Sequence, residues 1–218
     1  MKEGLPISRV KFFAVFIAVL IVSVSLIVIF SETLRGSATR VACMGDSITE
    51  MNAYPADLQD LLGGSYSVGE FGASGSTVLI DTSDPYIYTN AFLRAKAFLP
   101  DIVVIMLGTN DARSDNYQSI DNFVADYKQL VREVQALESH PKIFLVKPPP
   151  IFHNDLFLSN AYLMDGVIPG IEQAAKDLGL PVIDVYTPLA DHSDYFMDGV
   201  HPNNKGANVI ASEIYNAI

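Results

Sequence analysis

The chain has 218 residues, 50% of them hydrophobic, with 14 Lys plus Arg against 25 Asp plus Glu for a formal charge of −11. That length holds one well-cored α/β domain and not two of ordinary size, and the acidic balance argues against nucleic acid or an anionic membrane surface as partner. Cys43 is the only cysteine, so no intramolecular disulfide forms and a bridge-stapled small fold is excluded.

From Phe12 to Phe30 every residue is apolar except Ser23 and Ser25. This run is close to the roughly 20 residues a helix needs to cross a bilayer. Two readings are open, a cleaved signal peptide and an uncleaved signal anchor. The run exceeds the about 7–15 apolar residues of a signal peptide, and Ser31-Glu32-Thr33-Leu34-Arg35 follows it, with Gly36-Ser37-Ala38 as a late cleavage site. The anchor is favoured. Lys2, Arg9 and Lys11 precede the run while Arg35 and Arg40 follow it, a bias that leaves the N-terminus in the cytoplasm and the remainder on the extracytoplasmic side. With cleavage, the remainder is secreted. Residues 1–30 are therefore set apart as the anchor, 31–39 as a polar linker and 40–218 as the folded domain. Without residues 1–30 the balance is 11 basic against 24 acidic residues, or −13.

Strands are expected at 40–45, 66–71, 101–107, 142–147 and 181–185. Helices are expected near 53–63, 88–98, 120–138, 158–179 and 204–217, with Phe123, Tyr127, Leu130, Val131 and Val134 striping the third at helical spacing. Regular alternation of this kind predicts βα units, a five-stranded parallel sheet and a three-layer α/β/α sandwich. Cys43, inside Val41-Ala42-Cys43-Met44, packs as a small hydrophobe and lies too deep in the domain for lipid attachment. In an open parallel sheet, ligands bind outside the carboxyl ends of the strands. Ser47, Gly72 and Asn110 each fall just past such an end, so the fold expectation gathers them on one rim.

Four separated segments carry the chemistry: Gly45-Asp46-Ser47-Ile48-Thr49, Phe71-Gly72-Ala73-Ser74-Gly75, Gly108-Thr109-Asn110-Asp111 and Asp198-Gly199-Val200-His201. Ser47 sits at a strand-to-loop turn where glycine lets the backbone bend and present a hydroxyl. A serine hydroxyl needs a base within reach. His140 ends a helix and faces solvent, His192 has only the adjacent Asp191, and His153 follows Pro148-Pro149-Pro150 in a position to line a pocket. His201 is the best base, because Asp198 three residues earlier can fold back on its ring and fix the tautomer.

In this order the four segments resemble the SGNH hydrolases, or GDSL esterase/lipase family, from about Arg40 to the C-terminus. The resemblance implies a flavodoxin-like sheet of order 2-1-3-4-5 and a Ser47, His201, Asp198 triad in which the aspartate contributes least. It assigns the oxyanion donors to the N–H groups of Ser47 and Gly72 and the side-chain amide of Asn110. Tyr54-Pro55-Ala56-Asp57-Leu58 and Asp84-Pro85-Tyr86 look most like the carbohydrate O-acetylesterase branch, so the expected substrate is a small-molecule or glycan ester bearing a short acyl group. Thr77, Tyr86 and His153 are the candidate substrate contacts, with loop packing open as the other reading of Thr77 and Tyr86. No metal-ligand spacing and no phosphate-binding glycine loop occurs, so no cofactor is implied. A lysophospholipase or thioesterase of the same family, and a catalytically silent surface binding module, are the alternatives; four intact segments speak against the latter. The oligomeric state is not encoded in any pattern we identify.

Overall fold

Ile102-Val103-Val104-Ile105-Met106 is an unbroken, mostly β-branched run, the pattern of a strand covered on both faces. It forms β3 (Ile102–Met106) at the centre of a five-stranded parallel sheet. The computed structural model describes residues 38–218 together with Phe16, Ile17 and Leu20, and the unit treated below is Thr39–Ile218. The anchor expected over residues 1–30 and most of the linker lie outside the described residues. Among the described residues, no helix is long and apolar enough to cross a membrane.

The other strands are β1 (Thr39–Gly45), β2 (Tyr66–Gly72), β4 (Lys142–Lys147) and β5 (Val182–Asp184). Their order is β2-β1-β3-β4-β5, the one expected. The chain moves outward from β1 to β2 and then crosses back to β3, which opens a crevice at the carboxyl ends of β1 and β3. Register fixes that crevice: Gly45, the last residue of β1, pairs with Gly72 on one side and Met106 on the other.

Six helices matter for the site: α1 (Ser47–Glu50), α2 (Tyr54–Leu62), α3 (Asn90–Ala97), α4 (Phe123–Gln135), α5 (Ile168–Leu178) and α6 (Asn204–Ala217). Because strand side chains alternate between faces, Val41 and Cys43 of β1 pack in the core beneath α2 and α6. Ala42 and Met44 pack in the core beneath α3, α4 and α5. The sandwich therefore has helices on both sides of one sheet, and each buried Val, Leu or Ile in those layers contributes roughly 1.5–3 kcal/mol.

One expected helix is not continuous. The stretch read as 158–179 carries a π turn at Leu163–Val167 before α5 begins. Pro169 explains it, since proline has no N–H to donate to the carbonyl of Asp165.

Candidate active site

Gly45 ends β1 against both its neighbours: a Cβ there would lie 2.0 Å from Thr49 Oγ1 and 2.7 Å from the Met106 carbonyl. Only glycine lets α1 start this close to the sheet. Asp46 caps α1, its Oδ1 accepting from the Ile48 N–H at 2.9 Å. Ser47 follows as the first helical residue, so its own N–H is one of the donors a helix leaves without an intrahelical partner. Burial pushes the Asp46 carboxyl up to about 6, against the opposing pull of the Ile48 N–H. Among the described residues, buried Asp46 Oδ2 and the buried Thr109 hydroxyl have no well-formed hydrogen-bond partner, although the Thr109 hydroxyl lies close enough to Asp46 to draw its carboxyl down.

His201 Nε2 lies 2.9 Å from Ser47 Oγ, and His201 Nδ1 lies 2.7 Å from Asp198 Oδ2. The turn that permits this is local. Gly199 has φ +85, a conformation open to glycine, and a Cβ on it would meet the His153 carbonyl at 2.2 Å. Asp198 Oδ1 accepts from the N–H groups of Val200 at 3.0 Å and His201 at 2.8 Å. Burial alone would raise the Asp198 carboxyl, but the His201 N–H, the His201 ring and the Val200 N–H outweigh it and hold it below its ordinary value. His201 thus has one ring nitrogen on a carboxylate and the other on a hydroxyl.

Asn110 opens a short 3-10 turn after β3. Its amide donates one hydrogen to the Ser76 carbonyl at 3.0 Å, leaving a second donor. Asp111 beside it is buried and grips the loop after β2, accepting from Val78 N–H at 3.0 Å and Leu79 N–H at 2.9 Å. Burial pushes this carboxyl up to about 7 despite those two bonds. Ser47, Ser74, Gly75, Asn110, Arg113 and His201 line a cleft of about 250 Å³, with Met51, Leu156, Leu158 and Val200 as its apolar lining. A second cavity, about 310 Å³, shares Ser47, Met51 and His201 with the first and is otherwise walled by Ile48, Asn52, Met197 and Asp198.

Several expected contacts lie elsewhere. Gly72 does not line the cleft: its N–H donates to Glu70 Oε1 at 2.5 Å, and a Cβ there would lie 2.2 Å from Glu50 N. Gly72 is a spacer between β2 and α1. Gly75, three residues on with φ +78, lines the cleft instead, and among the described residues its N–H donates to nothing. The expected strand stopped at 71, one residue short: β2 runs through Gly72, and Gly75, after Ala73-Ser74, is the glycine that stands beyond the strand where the chain turns. Thr77 is buried, its hydroxyl on the Leu79 carbonyl and on Thr82. Tyr86 is also buried, donating to the Phe71 carbonyl at 2.5 Å. Both pack the loop, the other reading given for them. His153 is exposed and meets Gly199 through its backbone. His140 is exposed, and His192 stacks on Tyr195. Arg113, Met51 and Leu158 line the cleft without having been singled out, because no local motif marks them.

The model of the GDSL-like lipase/acylhydrolase family matches residues 43–209. The chain belongs to this family. It is a family of ester-cleaving enzymes, and the match takes in Ser47, Gly75, Asn110, Asp198 and His201. Within it, the chain is similar to an acetylxylan esterase of Xylanibacter ruminicola, at 37% identity with 84% of this chain and 44% of that protein covered. The chain thus spans less than half the length of that relative. It is also similar to an isoamyl acetate-hydrolyzing esterase 1 homolog of Bos taurus, at 25% identity with 81% of this chain and 80% of that protein covered. A solved carbohydrate acetylesterase of Sinorhizobium meliloti shares the fold, with a TM-score of 0.64 at 19% identity over 82% of this chain and 97% of that one.

Proposed function

We propose that this family member is a serine esterase that removes short acyl groups, acetyl above all, from carbohydrate hydroxyls. The observation that carries the reading is the unbroken line Asp198, His201, Ser47 opening on a small cleft beside Asn110 and Gly75. Ser47 Oγ attacks the ester carbonyl while His201 Nε2 takes its proton. Asp198 holds the Nδ1 proton and stabilises the charged ring. The tetrahedral oxyanion is met by the N–H groups of Ser47 and Gly75 and the remaining amide hydrogen of Asn110, donors worth roughly 3–4 kcal/mol of barrier each in comparable sites. His201 then passes its proton to the leaving sugar oxygen, and water, activated by the same ring, releases the acid.

The two cavities suggest how an ester lies across the serine. The methyl of an acetyl group suits the cavity walled by Ile48 and Met197, and the sugar suits the cleft that carries Ser74, Asn110 and Arg113, with Met51 bordering both. The acetylxylan esterase relative supports a carbohydrate acetyl ester. Exposed Met51 and Met197 at the rim favour a second reading, a lysophospholipase or thioesterase. Rates on p-nitrophenyl esters from acetate to decanoate separate the two: a steep fall beyond butyrate is expected, and a preference for long chains overturns the deacetylase. A fluorophosphonate is expected to label Ser47 and to leave Ser47→Ala unlabelled; a wild-type chain that never reacts there would point to the silent binding module.

The same proposal retains the apolar run 12–30 as an uncleaved anchor with the enzyme on the extracytoplasmic side. A mature chain whose mass includes residues 1–30 is expected; loss of that stretch makes the enzyme a secreted one.

A further inference from the structure

Phe157 is the feature the site does not use. It is 81% exposed, the largest exposure of any phenylalanine described, and it holds φ +60, a conformation that bulky side chains avoid. Both are unfavourable, and neither is left to chance. Asn154 fixes the loop, its Oδ1 accepting from Leu156 and Leu158 N–H while its amide donates to the carbonyls of Phe152 and Leu158. Leu158 then pairs with Arg113, and Ser159 N–H donates to the Ala112 carbonyl. The ring is thus presented to solvent by a loop tied to the turn that carries Asn110. Backbone strain kept in place by its surroundings is a reason to look for a role.

Beside that ring is a groove of about 360 Å³ lined by Arg113, Ser114, Asp115, Leu156 and Phe157. Arg113 and Leu156 also line the catalytic cleft, so the groove continues from it. Arg113 Nε donates to Asp115 Oδ1 at 2.7 Å, which orients the guanidinium; among the described residues its two terminal nitrogens donate to nothing. A flat apolar ring, a row of free guanidinium donors, a carboxylate and a hydroxyl form the set a pyranose requires. Its C–H face lies on an aromatic ring, and its hydroxyls take planar charged partners in both senses.

We propose that this groove is a subsite for a sugar unit next to the one being deacetylated, so that the enzyme acts on acetylated oligosaccharides or polysaccharides in preference to acetylated monosaccharides. The proposal rests on the carbohydrate reading above. It replaces Thr77 and Tyr86 with Arg113 and Phe157 as the sugar contacts, and it gives the exposed ring a partner.

The test compares kcat/KM of the full chain on acetylated xylotriose, acetylated xylose and p-nitrophenyl acetate. Wild type is expected to favour the trimer over the monomer about tenfold or more, through KM. Phe157→Asn and Phe157→Gly both accept φ +60, so the two are expected to fold with Tm at or above wild type and to bring that ratio to about one. Phe157→Tyr keeps the ring and is expected to keep the preference. A wild-type ratio near one, or a ratio unmoved in Phe157→Asn and Phe157→Gly, overturns the subsite while leaving the deacetylase standing. Cleavage of p-nitrophenyl acetate with no acetate released from either sugar overturns the carbohydrate reading and the subsite together.

Discussion

Asp198 divides its two oxygens between different tasks, and this decides how its substitution behaves. Oδ1 holds the Val200 and His201 N–H groups while Oδ2 holds the His201 ring. In Asp198→Asn the amide oxygen keeps the two backbone bonds, which turns the NH2 toward Nδ1. The ring must then carry its proton on Nε2, where it can no longer accept one from Ser47. In Asp198→Ala the carboxylate side, 46% exposed, admits water, which can hold the correct tautomer. We therefore expect Asp198→Asn to lose about 10³–10⁴ in kcat/KM and Asp198→Ala only about 10². Equal losses, or a milder Asn variant, would show that Asp198 acts by charge alone. Ser47, His201 and Asn110 were legible in sequence because each stands at a strand end or beside its orienting partner. Thr77 and Tyr86 were not: hydroxyls in a polar loop read alike whether they face substrate or, as here, the Leu79 and Phe71 carbonyls.

The end of β2 and the start of α1 form one joint, and its two glycines serve it differently. Gly72 is a matter of space, because any Cβ would run into the Glu50 backbone at 2.2 Å for N and 2.6 Å for Cα. Gly75 has open space and is a matter of conformation, at φ +78. Gly72→Ala must push α1, and Ser47 with it, off the sheet. A loss of about 1–3 kcal/mol in stability is expected, together with a fall in kcat of at least tenfold. Gly75→Ala should cost about 1–2 kcal/mol of backbone strain, and its activity loss should exceed its loss of stability because Gly75 lines the cleft. Thermal unfolding and kcat of the two variants check this; a Gly72→Ala chain as stable and as fast as wild type would remove the spacer role. The elements on either side were legible, since continuous apolar runs mark buried parallel strands and striped ones mark helices. The joint was not legible, because it is made by Gly72 against the Glu50 backbone and by Ser74 N–H on the Glu50 carboxylate, 24 residues apart in the chain, and no local pattern records such contacts. The π turn before α5 differs, since its cause, Pro169 inside an otherwise helical stripe, is a local mark that the unbroken helix expected over 158–179 runs through.

For the whole domain, two buried carboxyls set how stability follows pH. Asp46 is pushed up to about 6 and Asp111 to about 7, in each case first by burial. An unfolded chain loses these protons near 3.8, so between roughly pH 4 and 7 the folded state binds more protons than the unfolded one. Stability then falls as pH rises through that window. At about 1.4 kcal/mol per unit the two groups together set an upper bound of roughly 7 kcal/mol. Local relaxation and partial wetting reduce what is observed, and a few kcal/mol is expected. The negative charge of the domain acts in the same sense, since protonation relieves self-repulsion. Asp198 is held below its ordinary value and acts oppositely, but its contribution is present above about pH 4 and is lost only below it, outside the window. The domain should therefore unfold several degrees higher at pH 5 than at pH 8, at roughly 2–4 °C per kcal/mol for a domain of this size. Asp46→Asn keeps the acceptor for Ile48 N–H, gives the Thr109 hydroxyl a possible donor and removes the buried charge. Its Tm should exceed wild type at pH 8, match it more nearly at pH 5, and so show a shallower pH slope. A wild-type Tm that climbs from pH 5 to pH 8, or a slope unchanged in Asp46→Asn, would mean that these carboxyls are wetter than their surroundings indicate.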